Sequence, residues 1–180
     1  WNHAISYFYK QLIQSHNKEK VQIFSYMSSF HNDNVTIEIK NNSEKWRSIA
    51  GLSMQNALKI IEQDEIDILI DLSGHTAYNR LDIFSARAAP VQAHYLGYFG
   101  STGCKEMDYW IGDEILLPSG LHNSYTEKIW CLPRVWISYD GNRNLPSSKW
   151  VPDAEGTIWL GSFNNLPKLN DLTLRLWAKI

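Results

Sequence analysis

Residues 66–103, IDILIDLSGHTAYNRLDIFSARAAPVQAHYLGYFGSTG, decide the fold. They open on IDILIDL (66–72), an apolar run of the kind that forms a strand buried on both faces of a sheet. A polar elbow, SGHT (73–76), follows, and then a short amphipathic helix that ends before Pro90. A second strand, VQAHYL (91–96), runs into a loop with glycines at 97, 100 and 103. Strand, helix and strand make a βαβ unit, which implies parallel pairing and a right-handed crossover. The elbow and the glycine loop both fall where a strand ends, the edge at which open α/β sheets bind ligands.

Outward from this unit the pattern continues. Residues 4–14 place Ile5, Phe8, Leu12 and Ile13 at helical spacing, and 21–27 alternate as a strand. Residues 33–43 mix β-branched and polar types and suit either a helix or an irregular crossover. Residues 53–62 read as a helix capped by Ser53, with Leu58, Ile60 and Ile61 inward. Two short strands are expected at 109–112 and 128–132. The segment 141–156, with its prolines, glycines and serines, reads as a linker between an N-terminal domain, 1–140, and the start of another, 157–180. In the latter, 157–162 reads as a strand. A helix capped by Asn170 or Asp171 follows, with Leu172, Leu176, Trp177 and Ile180 on one face. The expected class is α/β with a Rossmann-like parallel sheet.

Composition narrows the function. The chain has 180 residues, a 44% hydrophobic fraction and a formal net charge of −2. That balance supports a real core and argues against a nucleic-acid partner, which calls for a basic face. No apolar stretch is long enough to span a membrane. Two cysteines, Cys104 and Cys131, are too few for a disulfide framework, so a reducing, cytoplasmic setting is expected. Asp71, Asp108 and Asp113 do not form an Asp-x-Asp pair after a strand, and no metal is expected. The tryptophans at 110, 130, 136, 150, 159 and 177 read as packing residues rather than sugar platforms.

Six blocks, in order, carry a family resemblance: NHAISYF (2–8), IDILIDLSGHT (66–76), NRLDIFSARAAPVQAHYLGYFGSTG (79–103), MDYWIGD (107–113), YTEKIWCLP (125–133) and GSFNNLPKLN (161–170). Together they resemble the catalytic region of O-linked N-acetylglucosamine transferases, a family that includes the plant SPINDLY proteins. The SGHT elbow and the compact 134–156 segment look closer to bacterial members. The resemblance implies the GT-B arrangement, two facing Rossmann-like halves with a nucleotide-sugar between them. This chain would then hold most of the first half and the opening strand and helix of the second. The family's leading strand, the helical repeats of a TPR-containing parent and most of the nucleotide-gripping half would lie elsewhere, so the fragment alone is expected to be inactive. A gap or exposed edge beside 21–27 is also expected, inviting dimerisation. Phe99 replaces a proline common in the family's loop.

The implied reaction is inverting transfer of N-acetylglucosamine from UDP-GlcNAc to Ser or Thr hydroxyls of a protein acceptor. It needs no metal or other cofactor in this family. Its demanding feature is a departing diphosphate, which positive groups and amides stabilise. Lys168 matches the family lysine that contacts the diphosphate, and it stands just before a helix N-terminus, where anions are favoured. Asn165 sits where a glutamine usually helps to hold the nucleotide. His3 matches a histidine lying close to donor and acceptor, and the match leaves open whether it acts as general base. Leu96 and Gly97 match a pair bordering the sugar pocket, with Gly100, Ser101 and Thr102 in the same loop. For the glycines, a tight turn needing only geometry is the competing reading. Gly74, His75 and Thr76 lie at the elbow. Two alternatives remain open: a non-catalytic α/β binding or scaffold module, and a protein O-fucosyltransferase using GDP-fucose.

Overall fold

The computed structural model describes residues 3–139, 141 and 156–179. The chain separates into two compact units, residues 1–141 and 142–180.

In the first unit, α1 (Ala4–Ser15) leads to β1 (Phe24–Met27), α2 (Asn34–Asn42) and β2 (Lys45–Ser48). The ambiguous stretch is thus a helix. Asp33 caps it by accepting from the Thr36 amide at 2.9 Å, and Thr36 and Ile39, three apart, are its buried residues. β1 and β2 pair in parallel as a two-stranded sheet. Helix α3 (Met54–Gln63) follows, capped by Ser53 as its sequence predicts. Of its expected inward residues, Ile61 is fully buried, whereas Leu58 and Ile60 are half-buried around it.

A second sheet is built from β3 (Ile68–Asp71), β4 (Val91–Tyr95), β5 (Tyr109–Gly112) and β6 (Lys128–Cys131). All neighbours are parallel, in the order β3-β4-β5-β6. The short helix α4 (Leu81–Ser85) crosses from β3 to β4. The core lies on one face, where Leu69 meets Ala57 and Ile61 of α3, Ile83 and Phe84 of α4, and Met107.

The expectation for 66–72 is corrected here. Leu69 and Asp71 are buried, but Ile68 and Ile70 are 58% and 44% exposed. β3 is therefore buried on one face only, because no element among the described residues of the unit covers the other. β3 also ends its sheet, and β1 has only β2 beside it, so each has an edge without a strand partner among the described residues.

In the second unit, the strand expected at 157–162 does not form. A strand needs a hydrogen-bonding neighbour, and the described residues of this unit supply none. A single 3-10 turn, Leu166–Lys168, precedes α5 (Asp171–Trp177), which Asn170 caps through the Thr173 amide. Leu172, Leu176 and Trp177 are exposed rather than packed. Residues 142–155 of the expected linker, and with them Trp150, lie outside the described residues, as does Ile180. Trp110 and Trp136 are buried, but Trp130 and Trp159 are exposed, which corrects their assignment to packing. No helix among the described residues is long and apolar enough to cross a membrane.

Candidate functional site

The carboxyl ends of β3 and β4 bring together three segments: the elbow 73–76, the loop 96–103 and the start of α1. Gly97 shows how closely they meet. A Cβ placed on it would lie 1.8 Å from the Leu72 carbonyl oxygen and 3.2 Å from Ile5 on α1. Gly74 adopts φ +52°, and a Cβ there would run into Tyr98 at 2.4 Å. The residue before Gly97, Leu96, is buried and held at φ +77°, a conformation that L residues with side chains rarely adopt. Strain of this kind, held by tight surroundings, recurs at ligand-handling sites.

The loop is tied down from the protein side at almost every residue. His94 Nε2 donates to the Tyr98 carbonyl at 2.8 Å, and the Tyr125 hydroxyl donates to the Phe99 carbonyl at 2.7 Å. Trp110 Nε1 donates to the Gly100 carbonyl at 3.0 Å. The buried Glu127 carboxylate accepts from the Ser101 hydroxyl at 2.7 Å, from the Thr102 amide at 2.6 Å and from the Thr102 hydroxyl. Ser101 and Thr102 thus spend their hydroxyls on Glu127, and their place here is to hold the loop in shape. Gly100 lies against the Tyr98 ring. Phe99 keeps its ring 5.5 Å from that of Trp136, so the loop accommodates phenylalanine at this position.

At the elbow, His75 Nε2 donates to the Thr102 carbonyl at 2.9 Å, and its ring stands edge-on to Tyr98 at 5.4 Å. Thr76 turns back to the Ser73 carbonyl at 2.8 Å and is exposed. Elbow and loop therefore form one interlocked surface. His3 caps α1 in a reciprocal box with Ser6. Its Nδ1 accepts from the Ile5 amide at 3.3 Å, which requires that nitrogen to be unprotonated and puts the ring proton on Nε2.

A cavity of about 270 Å³ opens beside the loop, lined by Phe8, Gln11 and Leu12 of α1 with Tyr95, Leu96 and Ser138. The Gln11 side-chain oxygen is buried without a hydrogen-bond partner among the described residues. Asp71, Asp108 and Asp113 are each committed to partners within the fold. Asp71 accepts from the Ser73 and Gly74 amides and pairs with His94. Asp108 accepts from Arg87 and the Gln92 amide, which together outweigh burial and lower its pKa. Asp113 is lowered by the Leu116 and Trp136 amides. No group of three or more metal-ligating side chains gathers among the described residues.

In the second unit, Lys168 ends the 3-10 turn and lies exposed, three residues ahead of the first residue of α5. Asn165 opens that turn, its carbonyl accepting from the Lys168 amide at 2.9 Å. Sequence reasoning missed His94 and Glu127. The one signal for His94 is a polar residue amid the apolar alternation of β4.

A family model described as glycosyl transferase family 41 matches residues 1–152. The chain is 31% identical over 185 residues to a protein of Oryza sativa subsp. japonica named probable UDP-N-acetylglucosamine–peptide N-acetylglucosaminyltransferase SPINDLY. That match covers 100% of this chain and 20% of the rice protein. It is 32% identical to a UDP-N-acetylglucosamine–peptide N-acetylglucosaminyltransferase of Caenorhabditis elegans, over 87% of this chain and 14% of the other. Among solved structures, a mutant of the Thermobaculum terrenum O-GlcNAc transferase superposes with a TM-score of 0.92 at 34% identity. It covers 99% of this chain and 34% of that one. The chain thus spans 20% of the rice protein and 14% of the nematode one, a small part of the length of either.

Proposed function

Because the chain belongs to glycosyl transferase family 41, we propose that it is part of an inverting transferase that moves N-acetylglucosamine from UDP-GlcNAc to Ser or Thr hydroxyls of proteins. The observation that supports this most is the interlocked elbow and loop at the ends of β3 and β4, with strained Leu96 at its centre and His3 on the neighbouring helix. A preorganised rim of this kind holds a sugar without rearranging as charge develops. In the reaction the acceptor oxygen bonds to the anomeric carbon, its proton is released, and the bond from that carbon to the diphosphate oxygen breaks.

Lys168 carries the positive charge that receives the departing diphosphate, and Asn165 helps to hold the nucleotide. His3, the N-cap of α1 with its Nδ1 accepting from the Ile5 amide, stands near donor and acceptor in this reading. Leu96, Gly97, Gly74 and His75 shape the sugar side of the site. The reading includes no metal, since Asp71, Asp108 and Asp113 already serve His94, Arg87 and backbone amides. A cytoplasmic setting fits the free thiols of Cys104 and Cys131.

The test is donor choice by the natural-length protein, offered labelled UDP-GlcNAc or labelled GDP-fucose with protein acceptors. Label from UDP-GlcNAc on Ser or Thr is expected. Label from GDP-fucose alone would make it a fucosyltransferase, and label from neither would leave a binding or scaffold module.

A further inference from the structure

His94 is wholly buried, and both of its ring nitrogens face acceptors. Nε2 lies 2.8 Å from the Tyr98 carbonyl oxygen, and Nδ1 lies 2.7 Å from Asp71 Oδ2. A carbonyl oxygen only accepts, so Nε2 carries a proton. Asp71 Oδ2 also accepts from the Gly74 amide at 2.7 Å, and Oδ1 from the Ser73 amide at 3.1 Å. A carboxylate already receiving two amides takes its third bond from Nδ1 as an acceptor, so Nδ1 carries a proton as well.

We infer that His94 is held as an imidazolium paired with Asp71, and that this buried pair is the positioning device that fastens the elbow to the glycine loop. Asp71 grips the elbow through Ser73 and Gly74, His94 grips the loop through Tyr98, and one shared proton joins the two grips. Without that proton, two lone pairs face each other at 2.7 or 2.8 Å, and a buried acceptor left unpaired is costly. Elbow and loop then part, and with them go the Tyr98 ring over Gly74 and the His75 bond to Thr102.

The titratable groups around His94 are few. Asp71 stands on β3, Tyr98 lies on the loop with its ring 6.5 Å away, and His75 is behind that ring. From β5 the indole of Trp110 packs at 5.5 Å, with Tyr125 beyond it, and Glu127 reaches the loop from the start of β6. Asp71 is therefore the carboxylate in contact with the ring. The meaning of the site rests on the proposed transfer function, but the pairing itself does not.

Nitrogen-15 NMR of the His94 ring in the full chain at neutral pH tests the inference. Two N–H protons are expected. Asp71→Asn, whose amide can donate to Nδ1, should leave one N–H and shift the Gly74 amide, while the Trp110 indole N–H stays near its native position. A single N–H in the wild type, two N–H protons retained in Asp71→Asn, or an unmoved Gly74 amide would overturn it. The readout sits on His94 and not on sugar transfer, so its failure is distinguishable from failure of the transfer reading.

Discussion

At Gly97 one added methyl group would meet the Leu72 carbonyl oxygen at 1.8 Å, and the Leu72 backbone cannot swing aside as a side chain could. Gly97→Ala should therefore cost more than about 2 kcal/mol, read as a fall in the urea midpoint with an unchanged slope. Gly103, with open space around its Cβ position, should tolerate the same change far better, limited mainly by its φ of +68°. The sequence left two readings of these glycines open, and packing distinguishes them. Gly97 and Gly74 are required by close approach of neighbouring chain, while Gly103 is required by its turn. Leu96 could not be read this way, because a leucine carries no mark of a positive φ. Glu127 was equally hidden. Its partners Ser101 and Thr102 lie some 25 residues away in sequence, and only pairing of β5 with β6 brings them together.

Helices and strands with clear periodicity were legible, and their caps with them: Ser53 and Asn170 act as the sequence implies. β2 was not, because Lys-Trp-Arg-Ser offers no apolar alternation and owes its place to charge. Arg47 holds the buried Asp64 with two bonds, at 2.7 and 3.0 Å, and Lys45 and the Tyr26 hydroxyl complete the cluster. Asp64 caps the end of α3, so this cluster fastens the β1–β2 sheet to that helix. Arg47 above all, with Tyr26 and Lys45, lowers the Asp64 pKa from 3.8 to about 2 against the opposing effect of burial. A carboxyl depressed on folding stabilises above its unfolded value, and that stability is lost as pH falls through the folded value. The urea midpoint should thus drop between about pH 4 and about pH 2. Asp64→Asn should flatten that drop and cost on the order of 1 kcal/mol at neutral pH, since the Arg47 and Lys45 heads are half in solvent. An acid limb unchanged in the variant would show that other carboxyls set it.

At the scale of the molecule, the parallel class was legible from alternating strands and helices, but one covered sheet was not the outcome. β1 and β3 each keep an unpaired edge among the described residues, and Ile68 and Ile70 face outward beside it. Such edges recruit strands, so the chain should self-associate, with light scattering giving a mass above that of a monomer. A monomeric mass at high concentration would contradict that. The strand expected at 157–162 failed for a related reason: its apolar residues Ile158, Trp159 and Leu160 are exposed, and a strand read from composition still needs a neighbour to pair with. We propose that this chain carries one side of a sugar-transfer site and the lysine that meets the leaving diphosphate. Steady-state transfer from UDP-GlcNAc by the natural-length protein, wild type against Lys168→Ala, tests it most directly. Lys168 is exposed, so the fold should survive its truncation. A contact that strengthens as charge develops predicts a kcat lower by about 100-fold or more with KM changed only a few-fold. Turnover within a factor of about two of wild type would contradict the account.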